Sequence, residues 1–151
     1  MADPVVSYYE EDNIVELNIS NPEDFGDVIM GHSSDPQVIH IWNDKGSGAG
    51  STPMYNTRIK IVTETGLDSG DTLENGREVV QNKWIDGKSI TNEDVSYTEL
   101  GGVTTLALGT INANSFHAIE LIENVPSDAT SVPPNGDIAF KLYVLYDLTA
   151  E

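Results

Sequence analysis

Apolar residues in this chain recur at every second position, and that period constrains its fold more than any other feature. The clearest case is residues 138–148, where Ile138, Phe140, Leu142, Val144, Tyr146 and Leu148 share one parity. Successive side chains of a strand point to opposite faces, so this parity predicts one continuous core face with Phe140 near its centre. Residues 14–20 repeat the pattern with Val15, Leu17 and Ile19 alternating with Glu16, Asn18 and Ser20. Residues 37–43 carry Val38, His40 and Trp42 on one face and Ile39 and Ile41 on the other, as in a central strand. Residues 57–65, 78–85, 103–108 and 116–125 read as further strands. No stretch holds an apolar i, i+3, i+4, i+7 pattern for three turns, so long helices are not expected.

Turn sequences separate these runs. Asn21-Pro22, Asp35-Pro36, Lys45-Gly46, Asn75-Gly76, Asp86-Gly87, Gly101-Gly102 and Pro133-Pro134-Asn135-Gly136 are of this kind. Asn75-Gly76 and Asp86-Gly87 suit tight turns with positive φ. About seven to nine short strands with turns between them predict an all-β antiparallel sandwich rather than a βαβ sheet. No internal repeat or linker divides the 151 residues, so one domain over 1–151 is expected, with 1–12 as an N-terminal arm or edge strand.

Charge narrows the partners. Twenty-five acidic residues face seven basic ones, a formal net charge of -18. Phosphate backbones and anionic lipid surfaces both select Lys and Arg, so neither nucleic acid nor membrane is an expected partner. A halophilic origin also produces acid excess, although Asn and Ile are plentiful here. With no cysteine there is no disulfide framework and no thiolate metal site. The start, Met1-Ala2-Asp3-Pro4, has neither a basic n-region nor an apolar h-region, so no signal peptide is expected. The densest apolar stretch, 139–148, is interrupted by Lys141 and Asp147 and is too short to span a bilayer.

Chemistry-bearing motifs are scarce. His32, His40 and His117 are isolated from one another, without zinc spacing. Asp68, Asp71 and Glu74 gather carboxylates in one loop, but not at calcium-loop spacing, and read as a solvated turn. Glu10-Glu11-Asp12 and Asn92-Glu93-Asp94 read the same way. There is no G-x-S-x-G elbow, cysteine nucleophile or phosphate-binding glycine loop, so neither an enzyme nor a cofactor is expected. Paired carboxylates meet only in the fold and stay open. That leaves aromatic and apolar surface. Trp42 is expected in the core. Val5, Val6, Tyr8, Tyr9, Tyr55 and Trp84 are the candidate partner contacts, with the small, nearly uncharged loop 45–53 as either a mobile connection or a contact loop.

Two stretches resemble known modules. Asp24-Phe25-Gly26-Asp27-Val28-Ile29-Met30-Gly31-His32-Ser33-Ser34, followed by Val38-Ile39-His40-Ile41-Trp42-Asn43-Asp44-Lys45-Gly46, resembles the start of Hydin-type immunoglobulin-like domains. Ala113-Asn114-Ser115-Phe116, Ile119-Glu120-Leu121, Val125-Pro126-Ser127-Asp128-Ala129, Gly136 and the final apolar run resemble the last strands of immunoglobulin-like modules attached to bacterial glycosidases. Modules of this layout are similar to small structural proteins of tailed bacteriophages, and residues 82–102 share that likeness. Together the resemblances imply a single immunoglobulin-like sandwich, with Phe25 plugging one end. They also imply a virion role: a capsid decoration protein or a tail or neck component on the outer surface, assembled in the host cytoplasm. Its expected partners are further copies of itself and the major capsid or tail protein. The alternative is a carbohydrate- or cell-surface-binding module.

Overall fold

The structure, a computed structural model, describes residues 3–18, 22–23, 25, 28, 31–46, 50–63, 77–129 and 140–150. Within them run β1 (Val6–Glu10), β2 (Glu16–Leu17), β3 (Gln37–Asn43), β4 (Met54–Val62), α1 (Arg77–Gln81), β5 (Ile85–Ser89), β6 (Thr98–Leu100), β7 (Leu106–Ile111), β8 (Ser115–Glu123) and β9 (Lys141–Asp147). The strands form two antiparallel sheets, ordered β2-β1-β3-β8-β5-β6 and β7-β4-β9. The chain is thus an all-β sandwich.

Its core lies between the sheets. Ile39, Ile41, Ile85, Leu100, Ile119 and Leu121 of the larger sheet meet Met54, Ile59, Ile61, Leu106, Leu108 and Ile111 of the smaller one. Asn43 is fully buried among them without being orphaned. Its Nδ2 donates to the carbonyls of Thr52 and Ile111, 3.1 Å each, and its Oδ1 accepts from Val5 N at 3.3 Å. One side chain therefore ties the residue before β1, the β3–β4 loop and β7 together, and a buried amide is tolerated because its bonds are met. Phe25 packs on Phe140 with ring centroids 5.9 Å apart, and both rings are partly buried against the core.

Several expectations need correction. Residues 78–85 are not a strand. Val79 and Val80 sit on the one-turn α1, and Trp84 follows it into the core. Lys83 takes φ 54°, and Trp84 N donates to Val79 O at 3.1 Å, a Schellman closure that ends the helix one step before β5. Asp86-Gly87 is not a turn but the middle of β5. The glycine is needed there for packing, since a Cβ at 87 would stand 2.8 Å from Leu100 Cδ1. The strand expected at 103–108 begins only at Leu106, and Val103 lies in the preceding turn, 87% exposed. Among the described residues 14–18, Glu16 and Leu17 form the strand that pairs with β1, and Ile14 and Val15 are exposed. β9 does run along the core, but Leu142, Val144 and Tyr146 are only partly buried, because among the described residues β9 is the edge of a narrow sheet. Asn75-Gly76, Pro133 to Gly136 and the Asp68, Asp71 and Glu74 loop fall outside the described residues.

Candidate functional site

The outer face of the six-stranded sheet carries the largest cluster of aromatic contacts among the described residues. Register places it there: Tyr9 opposes His40, which opposes Ala118, and Ser7 opposes Trp42, which opposes Phe116. The other parity of the same strands, Tyr8, Ile41 and His117, faces the core. His40 stacks on Phe116 at 4.2 Å and 17°, and Trp42 tilts against Phe116 at 4.9 Å and 42°. The Lys45 ammonium lies over Tyr9 at 4.6 Å and over Trp42 at 5.3 Å. Asn13, in the left-handed conformation at φ 60°, locks the cluster from below. Its Oδ1 accepts from Trp42 Nε1 at 2.9 Å and from His40 Nδ1 at 2.6 Å. Burial lowers the His40 pKa, and Glu11 opposes that shift, so the ring is neutral at pH 7. Phe116 is nonetheless 39% exposed.

Toward β5 and β6 the same face turns acidic. Tyr97 donates its hydroxyl to Glu120, whose carboxylate also faces the Lys88 ammonium at 3.6 Å, and Lys88 lies 4.7 Å above the Tyr97 ring. Burial, followed by the bond to Glu120, pushes the Tyr97 phenol up to about 12. Asp86 stands directly opposite Glu99 and accepts from Asn124 Nδ2. Burial raises the Asp86 pKa, Glu99 adds to the rise, and the amide bond opposes it. Both carboxylates line an open cleft of about 540 Å³ with His32, Lys83 and Asn124. No group of three His, Cys, Asp or Glu among the described residues is placed to hold a metal ion.

The candidate contacts do not form one surface. Val6 and Tyr8 face the core, and the Tyr8 hydroxyl donates across the sandwich to Leu142 O at 3.4 Å. Burial, with the nearby Tyr143, lifts the Tyr8 pKa to about 12. Val5 is exposed and Tyr9 joins the aromatic face. Tyr55 lies on the other sheet opposite Asp147. Trp84 is withdrawn as a contact. It is among the largest fully buried side chains, and its indole N–H has no hydrogen-bond partner among the described residues. Trp42, expected in the core, is the tryptophan on the surface. The two tryptophans exchange roles because both faces of β3 are apolar in sequence, so period alone cannot tell which one turns inward. His117 and Ser89 are buried and bonded to each other at 2.5 Å, beyond the reach of a substrate. Sequence reasoning missed Phe116 and Asn13 as site residues, and reached Lys45 only as the first residue of the candidate contact loop 45–53. They come from three separate turns and strands, and only the register assembles them.

No helix among the described residues is long and apolar enough to cross a membrane. No family model and no curated protein matches the chain. Among solved structures it is similar to a family 123 glycoside hydrolase from Clostridium perfringens, with a TM-score of 0.44 and 15% identity over 99% of this chain. The chain spans 25% of the length of that protein.

Proposed function

We propose that this chain is a non-enzymatic structural protein of a phage virion, an external capsid decoration protein or a tail or neck accessory. In this reading it docks on a capsid or tail subunit through the outer face of its six-stranded sheet. The observation that supports it is the closed aromatic cluster of Tyr9, Lys45, Trp42, Phe116 and His40. These groups pack on one another, which preorganises an aromatic surface with Phe116 exposed, and rigid aromatic side chains of this kind anchor protein–protein contacts. Sugar stacking calls for open ring faces instead. The acid excess suits the outside of a particle, since packaged DNA would repel the chain. The likeness of residues 82–102 to small structural proteins of tailed phages points the same way. The mechanism is passive, each copy adding interface free energy where it bridges shell or tail subunits.

A carbohydrate- or cell-surface-binding module is the second reading, favoured by the exposed part of Phe116. Mass spectrometry of purified particles tests the first. The chain should appear in fixed ratio to a capsid or tail protein. A Trp42→Ala/Phe116→Ala double variant that remains folded should fail to rebind particles stripped of the chain. Absence from particles, or undiminished rebinding, rejects the proposal. Saturable binding on a glycan array, lost in the same variant, would put the second reading in its place.

A further inference from the structure

The edges of the two sheets are unequal. β2 and β6, at the ends of the larger sheet, have two and three residues. β7 pairs with β4 through two register shifts and carries Gly109 at φ 96°, so its edge is kinked. β9 differs from all three. It runs seven residues, pairs regularly with β4 from Arg58 to Val62, and among the described residues has no strand on its other side. A long regular edge is a template for another strand unless something blunts it. Here the seam beside it is incomplete too. Leu142, Val144 and Tyr146 touch the core without being fully buried, and Tyr143 is 48% exposed on the outer face.

We propose that β9 is a self-complementary edge, along which two copies of the chain pair antiparallel about Val144 and join their three-stranded sheets into one six-stranded sheet. The occupant follows from the order of residues. Directly opposed residues in an antiparallel pair share a face. A two-fold axis at Val144 sets Leu142 against Tyr146 of the second copy on the inner face and Tyr143 against Leu145 on the outer face. At both ends it sets Lys141 against Asp147. Shifting the axis to Tyr143 puts Lys141 opposite Leu145, and shifting it to Leu145 puts Tyr143 opposite Asp147, so the charges select one register. β9 has one Lys and one Asp and is itself neutral. Charges elsewhere on the chain are screened over about 8 Å at physiological salt. Asp147 already meets Arg58 at 3.5 Å and Asn56 Nδ2 at 3.1 Å. The Leu142 carbonyl, bonded to Tyr8, keeps a second lone pair for the ladder. Such a contact is isologous and closes on itself as a dimer. It uses the sheet opposite the aromatic face and holds whether or not the virion reading does.

The chain has no cysteine, so one introduced thiol reports one contact. Val144→Cys places two thiols on the axis, at the Cα separation of about 4.5–5.5 Å that opposed strand residues have and disulfides accept. Mild oxidation should convert it to a covalent dimer. Val95→Cys, at a position 97% exposed in the β5–β6 connection, should give no covalent dimer under the same oxidation. In sedimentation the unmodified chain should run at twice 16.4 kDa. Tyr143→Lys, at an exposed site, should weaken that association by about tenfold or more with circular dichroism unchanged. An unmodified chain that is monomeric at its highest soluble concentration overturns the proposal. Crosslinking of Val144→Cys no faster than Val95→Cys, or association untouched by Tyr143→Lys, does the same.

Discussion

Ser89 Oγ stands 2.5 Å from His117 Nε2 in the core, and the backbone N–H of Asn92 donates to the same oxygen at 2.9 Å. With that bond accepted, the hydroxyl's own proton is available to Nε2 of a neutral His117. Burial holds the imidazole down at about 4, with Asp94 opposing only in part. Above the unfolded value of about 6.5 this has no effect on stability. Below it the unfolded chain takes up a proton that the folded chain refuses, so stability is lost as pH falls from about 6.5 to about 4. Allowing for solvent screening, the loss is about 2 kcal/mol. Urea melts at about pH 7 and about pH 4.5 should show His117→Gln losing less on acidification than the unmodified chain. Equal losses would reject this account.

Trp84 has a buried N–H without a partner among the described residues, an arrangement that penalises the native state while its ring fills the core. Trp84→Phe keeps most of the ring and removes the orphaned donor, so its loss should stay below about 1.5 kcal/mol. Trp84→Ala should lose about 3–5 kcal/mol. Denaturant midpoints of the two variants check the ordering, and near-equal losses would contradict it.

How much of this was legible in sequence depended on what lay next to each residue in space. β3 appears at residues 37–43 as expected, because an apolar run on both faces has few alternatives in a two-layer fold. Which face turns inward was not readable. Ile39 and Ile41 go to the core because Tyr8 and Ile119 face them from β1 and β8, and those neighbours are distant in sequence. Val79, Val80 and Trp84 fit either a strand or one helical turn, and the left-handed Lys83 decides in favour of the helix. Asp86-Gly87 shows the same limit, since a glycine required by Leu100 and Leu121 looks in sequence like a glycine required by a turn.

Gly101 and Gly46 both have positive φ, 149° and 81°, but only one is crowded. A Cβ at 101 would lie 2.3 Å from the Val80 carbonyl oxygen, whereas at 46 none of the described residues comes within 4 Å. Gly101→Ala must shift α1 or β6 and should lose about 2 kcal/mol or more, while Gly46→Ala meets only backbone strain of about 1 kcal/mol. Thermal melts of the pair should rank them in that order, and the reverse ranking would refute the packing at Gly101.

Phe140 lies just before β9 and is only partly buried beside Phe25, so the central core position expected from its parity is not the one it holds. Phe140→Ala should fall short of the roughly 3–5 kcal/mol of a fully buried Phe. Ile119→Ala, in the middle of the larger sheet with no exposed surface, should lose about 2–5 kcal/mol. Urea denaturation of both variants tests whether the core is centred on β8 rather than β9.

The N-terminal strand offers the sharpest test of the fold. A charge-poor start with Val5, Val6, Tyr8 and Tyr9 can pair within its own sheet or add to a neighbour's edge, and the structure takes the first course. β1 lies between β2 and β3, matching Val6 to Asn43 and Tyr8 to both Ile41 and Leu17. Tyr8 also reaches across to β9, and Val5 N donates to the buried Asn43. Deleting residues 1–9 would expose the β3 edge, strand β2 and leave Asn43 Oδ1 unmet, three separate losses in one core. The truncated chain should therefore lose its cooperative thermal transition and its dispersed amide spectrum, rather than remain folded with only an interface removed. A truncated chain that melts cooperatively near the full-length temperature would mean that β1 is dispensable to the sandwich. The strand would then be free to serve a neighbouring copy.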